Sequence, residues 1–288
     1  MSKLVTILGP TASGKTAMAI QLAKHFNGEI VCADSRTIYI GMDVGTAKPS
    51  KEEQKEIPHH LLSVVKPGQT FSVVEFKKLA QKAIRDIQLR GKVPFLVGGS
   101  GMYIDSLLFD YTFERSGRVN RIDTTNLSLE ELQHRVEAEY PEIELNNSDA
   151  HNRRRLEQIL QQGFVKSNNR QTHKIESLVL GIHAEMPILK KNIAIRTKTM
   201  LNNGFIQEVK YLVDNYGDNC VQLQTTGYKE VLDFINSPTS KNELELQINA
   251  ATYKLAKKQL TWFKRNLAVI WVKNYLEAER GVSDYLGL

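Results

Sequence analysis

From Lys3 to Leu8 the chain is dominated by branched apolar residues, and the run stops at Gly9. Such a run ahead of a glycine reads as a buried strand feeding a turn. Between Thr16 and Phe26 apolar positions recur at helical spacing, and Glu29 to Ala33 is again a short apolar run. Strand, glycine turn, helix and strand make a βαβ unit, whose crossover is right-handed in a parallel sheet. A helix is predicted over Val73 to Arg90, a strand over Val93 to Val97, and two more strands over Leu178 to Ile182 and Ala268 to Val272. The predicted architecture is an α/β open parallel sheet flanked by helices.

The pattern changes between about Phe113 and Ser177. Stretches such as LSLEELQHRVEAEY are polar and helix-periodic, SNNRQTHK is a loose polar tail, and no parallel strand stands out. This predicts a small helical insertion, residues 113–177, within a catalytic core made of residues 1–112 and 178–288. Internal repeats are absent, and Asn236 to Lys241, NSPTSK, reads as an ordinary loop.

With 288 residues, 41% of them hydrophobic, the chain can bury a large core. Its 38 Lys and Arg against 32 Asp and Glu leave a net charge of +6, which suits a polyanionic partner without requiring one. Nothing approaches the roughly 18 consecutive apolar residues of a membrane span, and MSKLVTILGP enters a strand rather than a cleavage site, so a cytoplasmic protein is expected. Cys32 and Cys220 stand apart without a CxxC spacing, which argues against a disulfide framework or a zinc site. His59 and His60 are neighbours that would point to opposite faces of a strand, so they are read as structural and not as metal ligands.

The chemistry starts at Gly9-Pro10-Thr11-Ala12-Ser13-Gly14-Lys15-Thr16, which fits GxxxxGK[ST] after a strand and before a helix. Its amides can surround a phosphate, Lys15 adds a full charge, and the Thr16 hydroxyl can ligate Mg²⁺. The motif specifies a di- or triphosphate site but not which one. Ligands of open parallel sheets lie beyond the carboxyl ends of the strands. Asp34-Ser35-Arg36-Thr37 and Gly98-Gly99-Ser100-Gly101 follow two other strands and should converge on that crevice. Asp34 is there a candidate base or metal ligand, with a helix N-cap as its structural alternative, and the glycines allow close backbone approach.

GPTASGKT, ADSRTIYIGMDVGTAKP, PHHLLSV, VGGSGMY, TGYKEV and TYKLAKKQLTWFKR follow one another in the order of the signature blocks of the tRNA dimethylallyltransferase family, and across almost the whole chain. The chain resembles that family. The resemblance implies a P-loop NTPase-like fold that holds the diphosphate of dimethylallyl diphosphate, with Mg²⁺ as cofactor, and transfers the prenyl group to N6 of adenosine 37 in the anticodon loop of tRNA. It implies Asp34 as the base, Lys15 at the departing diphosphate, and Ser100 as a contact near the reacting amine, where the family usually carries Thr. It further implies that Asp34, Ser35, Arg36 and Thr37 approach the substrate nucleotide, and that the insertion grips the anticodon stem-loop through Arg121, Arg153, Arg154 and Arg155. The family's Arg-Ala-Leu-Glu run is here Leu156-Glu157-Gln158-Ile159. On a helix from Thr252, residues Lys254, Lys258, Thr261 and Arg265 form one face suited to RNA phosphates, although such a face is also an ordinary solvated one. Arg196 matches a family block and is a candidate for the diphosphate, with a surface salt bridge as its alternative. Cytosolic eukaryotic relatives often add a C-terminal zinc finger; this chain stops at Leu288 without one, which points to a bacterial member. No membrane and no obligate protein partner are indicated. The competing readings are a small-molecule kinase, a prenyltransferase acting on free adenine nucleotides, and a non-enzymatic RNA-binding protein.

Overall fold

The structure is a computed structural model and describes residues 3–288 apart from 112, 117–122, 125, 142, 144, 146, 163 and 168–174. Its strands are β1 (Leu4–Leu8), β2 (Gly28–Cys32), β3 (His59–His60), β4 (Val93–Gly98), β5 (Phe113–Ser116), β6 (Phe164–Ser167), β7 (Ser177–Ile182) and β8 (Ile270–Val272). Its helices are α1 (Lys15–His25), α2 (Lys51–Glu56), α3 (Val73–Leu89), α4 (Gly101–Leu108), α5 (Leu129–Glu139), α6 (Asn147–Ala150), α7 (Arg153–Gln162), α8 (Met186–Asn202), α9 (Phe205–Tyr216), α10 (Tyr228–Asn236), α11 (Lys241–Phe263) and α12 (Tyr275–Leu286). The chain forms two compact units, Met1–Leu108 with His173–Leu288, and Phe109–Thr172.

The larger unit is built on a six-stranded parallel sheet in the order β3-β2-β4-β1-β7-β8. Every residue of β1 and β2 is buried, which is why these strands read as apolar runs instead of alternating. Leu8 lies opposite both Gly98 and Gly181, and Cys32 lies opposite Val97, so the loops after β1, β2 and β4 leave the sheet at one edge. Helix α1 packs Ala19, Leu22 and Ala23 on one side of the core and α12 contributes Ala278 and Val282. Helix α3 starts where Ser72 accepts from the Glu75 amide and Glu75 answers at the Ser72 amide, a capping box that satisfies two otherwise orphaned donors.

At the opposite end of β2, the buried Glu29 carboxylate receives Arg90, Lys92 at 2.8 Å and His60 Nε2 at 2.8 Å. Hydrogen bonds from Arg90 first, then from Lys92 and His60, hold it well below the usual carboxylate range against the opposing effect of burial. His60 is thus structural. His59 differs from its neighbour: its Nδ1 meets the Ile57 carbonyl at 2.7 Å, and its ring lines the cleft described below.

In the smaller unit Leu132, Val136 and Tyr140 of the α5 region pack against Leu156, Ile159 and Leu160 of α7, giving it a core of its own. It is not purely helical, as its periodicity had suggested. Strands β5 and β6 pair antiparallel, Phe113 opposite Ser167 and Ser116 opposite Phe164. Strands of four residues joined only by long-range pairing carry no periodic signal of their own. Among the described residues no helix is long and apolar enough to cross a membrane.

Candidate active site

The glycine-rich loop joins β1 to α1. Ala12 and Gly14 both take left-handed backbone angles, φ 62° and 85°, on either side of Ser13. Alternation of this kind turns successive amides toward one point, a concavity that binds anions, and the N-terminus of α1 stands behind it. Ser13 Oγ is buried in the loop with no partner among the described residues. Lys15 folds back over the loop, with Nζ 3.4 Å from the Pro10 carbonyl that accepts from it.

Two helices distant in sequence clamp this loop. From α11, Gln259 accepts from the Thr11 amide at 2.8 Å and donates to the Gly99 carbonyl at 2.9 Å, tying the β1 and β4 loops together. From α8, Arg196 donates to Thr11 Oγ1 at 3.2 Å and to the Thr46 carbonyl at 3.0 Å, and Asn192 donates to the Ala12 carbonyl at 3.2 Å. Arg196 is therefore turned inward to the loop, and among the described residues no ion pair is formed by it. Neither Gln259 nor Asn192 is apparent from local spacing, because each acts through the packing of a helix that starts far away.

Asp34 leaves β2 toward the same point. Its Oδ1 accepts from the Arg36 amide at 2.8 Å and from the Thr37 amide at 3.4 Å, an Asx turn in place of the helix cap that was the alternative. Both bonds fall on one oxygen. Ser100 braces the loop: its Oγ accepts from the Ser35 amide at 2.9 Å and donates to Ser35 Oγ at 3.2 Å. Close approach explains Gly98, since a Cβ there would overlap the Ala33 carbonyl oxygen. Arg36 and Thr37 line the cleft with Asp34, and Thr37 Oγ1 is buried with no partner among the described residues.

Electrostatics bind these groups into one site. Burial lowers the Lys15 pKa to about 8, Asp34 opposing that shift and Arg196 adding to it. Burial likewise lowers Arg196 from its ordinary value, again opposed by Asp34. The same cleft is lined by the apolar Leu62, Val97, Ile193, Met200, Phe205 and Leu255 and by polar residues that include His59, Thr197, Thr226 and Thr252. A pH dependence follows. An anion bound in the loop favours the ammonium of Lys15, so binding of diphosphate should take up protons from about pH 8 upward, and affinity should fall as pH rises through that value. Calorimetry in buffers of different ionisation enthalpy measures the uptake; binding that takes up no protons between pH 8 and 9 would contradict the placement of Lys15.

Of the remaining expected residues, Lys254, Lys258 and Arg265 are exposed on and just beyond α11, with Arg265 5.2 Å above the Trp262 ring. Trp262 itself donates to the buried Asp105 at 2.9 Å. In the smaller unit the Arg153 guanidinium contacts Glu157 at 2.8 Å and donates to the carbonyls of Leu127 at 2.6 Å and Thr124 at 3.1 Å, which holds the segment before α5 against α7. Arg155 donates to Gln158 at 3.4 Å. Arg121 and the side chain of Arg154 lie outside the described residues.

A family model described as IPP transferase matches residues 37–266. A tRNA dimethylallyltransferase of Staphylococcus saprophyticus is 37% identical over 286 residues, covering 93% of this chain and 90% of the relative. Among solved structures, the tRNA delta(2)-isopentenylpyrophosphate transferase of Staphylococcus epidermidis is 33% identical, with a TM-score of 0.75 over 100% of this chain and 99% of that one. The full-length tRNA isopentenylpyrophosphate transferase of Bacillus halodurans is 29% identical, with a TM-score of 0.74 over 100% and 96% of the two chains.

Proposed function

This chain belongs to the IPP transferase family, and from that premise we propose that it transfers a dimethylallyl group from dimethylallyl diphosphate to the exocyclic N6 amine of an adenosine in the anticodon loop of tRNA. One observation carries the reading: Lys15, Arg196 and Asp34 line the same cleft as the apolar Leu62, Ile193, Met200 and Phe205. A diphosphate suits the charged groups, and a five-carbon isoprenoid suits the apolar side chains.

The N6 lone pair attacks the first carbon of the dimethylallyl group, the carbon–oxygen bond to diphosphate breaks, and the N6 proton passes to Asp34. The amine is a weak nucleophile because its lone pair is delocalised into the ring, so a carboxylate that accepts its proton during attack lowers the barrier. Lys15, Arg196 and the loop amides stabilise the charge that grows on the departing diphosphate. The residues present also fit Mg²⁺: Thr16 at the start of α1 lines the cleft, and one hydroxyl with diphosphate oxygens and water is the sort of oxygen set this ion takes. When bound, the ion would neutralise charge on the leaving diphosphate.

The adenine must leave its stack to reach this cleft, as in other enzymes that do chemistry on a base. Ser35, Arg36, Thr37 and Ser100 are the residues proposed to meet the flipped nucleotide, and the exposed Lys254, Lys258 and Arg265 to meet RNA phosphates. The smaller unit, including Arg121, Arg153, Arg154 and Arg155, is proposed to hold the anticodon stem. Replacing Lys254, Lys258 and Arg265 together by Ala should weaken tRNA binding and flatten the plot of log affinity against log salt by about 2 to 3, since each phosphate contact contributes roughly 0.7 to 0.9. A slope equal to that of the parent would return the face to the solvent.

The reaction itself is tested by diphosphate release. With dimethylallyl diphosphate alone the protein should release none, and addition of unmodified tRNA should start it. Steady hydrolysis of ATP coupled to a small-molecule acceptor would favour a kinase instead.

A further inference from the structure

The TGYKEV block contributes no group to the chemistry above, yet its Tyr228 is fully buried. Its hydroxyl donates to Glu208 Oε1 at 2.6 Å. Glu208 stands in the first turn of α9, and its carboxylate is directed at the segment that follows the Asp34 loop. Oε2 accepts from the amides of Asp43 at 2.8 Å and Val44 at 2.7 Å, and Oε1 accepts from the amide of Gly45 at 3.0 Å. Three successive amides on one anion form the arrangement that backbone concavities offer to phosphates, here filled by a side chain of the protein itself. The segment reaches that depth only because residue 45 is glycine: a Cβ would overlap the Phe205 ring and lie 2.7 Å from Tyr228 Cζ.

The same segment is pinned from its other side. Lys48, whose side chain is 4% exposed, pairs with Asp43 and donates to the Tyr39 carbonyl at 2.8 Å and to Ser63 Oγ at 2.7 Å. Thr46 Oγ1 donates to the Met42 carbonyl at 2.7 Å. Between these anchors the Thr46 carbonyl is left facing Arg196, which donates to it with one nitrogen and to Thr11 of the phosphate loop with the other.

We infer that Glu208, held by Tyr228, is a positioning residue for the diphosphate site. Its carboxylate fixes the backbone of residues 43–45, that backbone aims the Thr46 carbonyl, and the carbonyl orients Arg196 beside the phosphate loop. The inference rests on the reading that this loop receives the donor's diphosphate. A group acting through Arg196 should change diphosphate binding only while Arg196 is present.

The experiment is a double-mutant cycle on the full chain, read by calorimetric binding of inorganic diphosphate and by the steady-state kinetics of prenyl transfer. Glu208→Gln keeps the shape but presents an NH₂ to backbone donors. It should weaken diphosphate and raise the KM for the donor by about tenfold, the scale of one charge-assisted hydrogen bond. Turnover at saturation should fall as well, because Arg196 also meets the charge growing on the departing diphosphate, whereas tRNA affinity should stay within about twofold. In an Arg196→Gln background the same change should add less than about twofold, because the two positions share one interaction. An undiminished tenfold effect in that background overturns the inference, as does no effect in the parent or an equal loss of tRNA affinity. Tyr228→Phe, which removes one of the four donors and keeps the ring, enters the same cycle if Glu208→Gln does not fold. Prenyl transfer by the unsubstituted chain is recorded alongside: its failure counts against the proposed reaction, while the diphosphate cycle still decides the role of Glu208.

Discussion

An Asp34→Asn chain is expected to turn over about 10²- to 10⁴-fold more slowly than the parent, the range associated with a positioned base, while binding tRNA with nearly the same affinity. The structure makes this substitution informative. Asn retains the Oδ1 acceptor that receives the Arg36 and Thr37 amides, so the turn survives and only the proton acceptor is lost. Removing the charge also takes away the group that opposes the lowered pKa values of Lys15 and Arg196. Its loss makes the Lys15 ammonium harder to hold but also removes a negative charge that repels diphosphate; the two effects oppose each other, so donor affinity is not expected to fall in step with turnover. Single-turnover rates with saturating substrates separate the cases: near-normal turnover would reduce Asp34 to a turn-former, and loss of tRNA binding would make it a recognition group.

The second large effect is expected at Lys15. Lys15→Met fills a similar volume without a charge and should lower kcat/KM for the donor by about 10³-fold or more, since it removes a preorganised positive group from the charge developing on diphosphate. Stability should move the other way. The folded pKa of about 8 lies below the ordinary lysine value, so the fold disfavours the ammonium. That cost is fully present below the folded pKa and is relieved as pH rises from about 8 toward the unfolded value. At pH 7 Lys15→Met should therefore melt no earlier than the parent in a thermal scan. Activity and stability lost together would indicate a structural lysine.

The phosphate loop and its strand were legible in the sequence because their determinants are local: a run of apolar residues, glycines at fixed offsets, and Lys15 at the head of a helix. The convergence of Asp34 and Ser100 on that loop was legible one step later, since a parallel sheet brings the carboxyl ends of β1, β2 and β4 to one edge. What closes the site was not. Arg196 was singled out only through the family block it matches, whereas Gln259 reaches Thr11 and Gly99 through the docking of α11 and Asn192 reaches Ala12 through α8, and no periodicity reports which residue of a helix meets a loop from another part of the chain. Glu208 was hidden for the same reason, its partners being backbone amides that have no sequence signature. The β5–β6 pair was missed because short strands joined across a long insertion are specified by each other.

Prenyl transfer itself is tested by incubating the protein with dimethylallyl diphosphate, Mg²⁺ and unmodified tRNA, then digesting the RNA and weighing its nucleosides. The expected product is an adenosine heavier by one five-carbon prenyl unit, located in the anticodon loop and formed in step with diphosphate release. An unchanged nucleoside profile under conditions where the protein binds both substrates would contradict it.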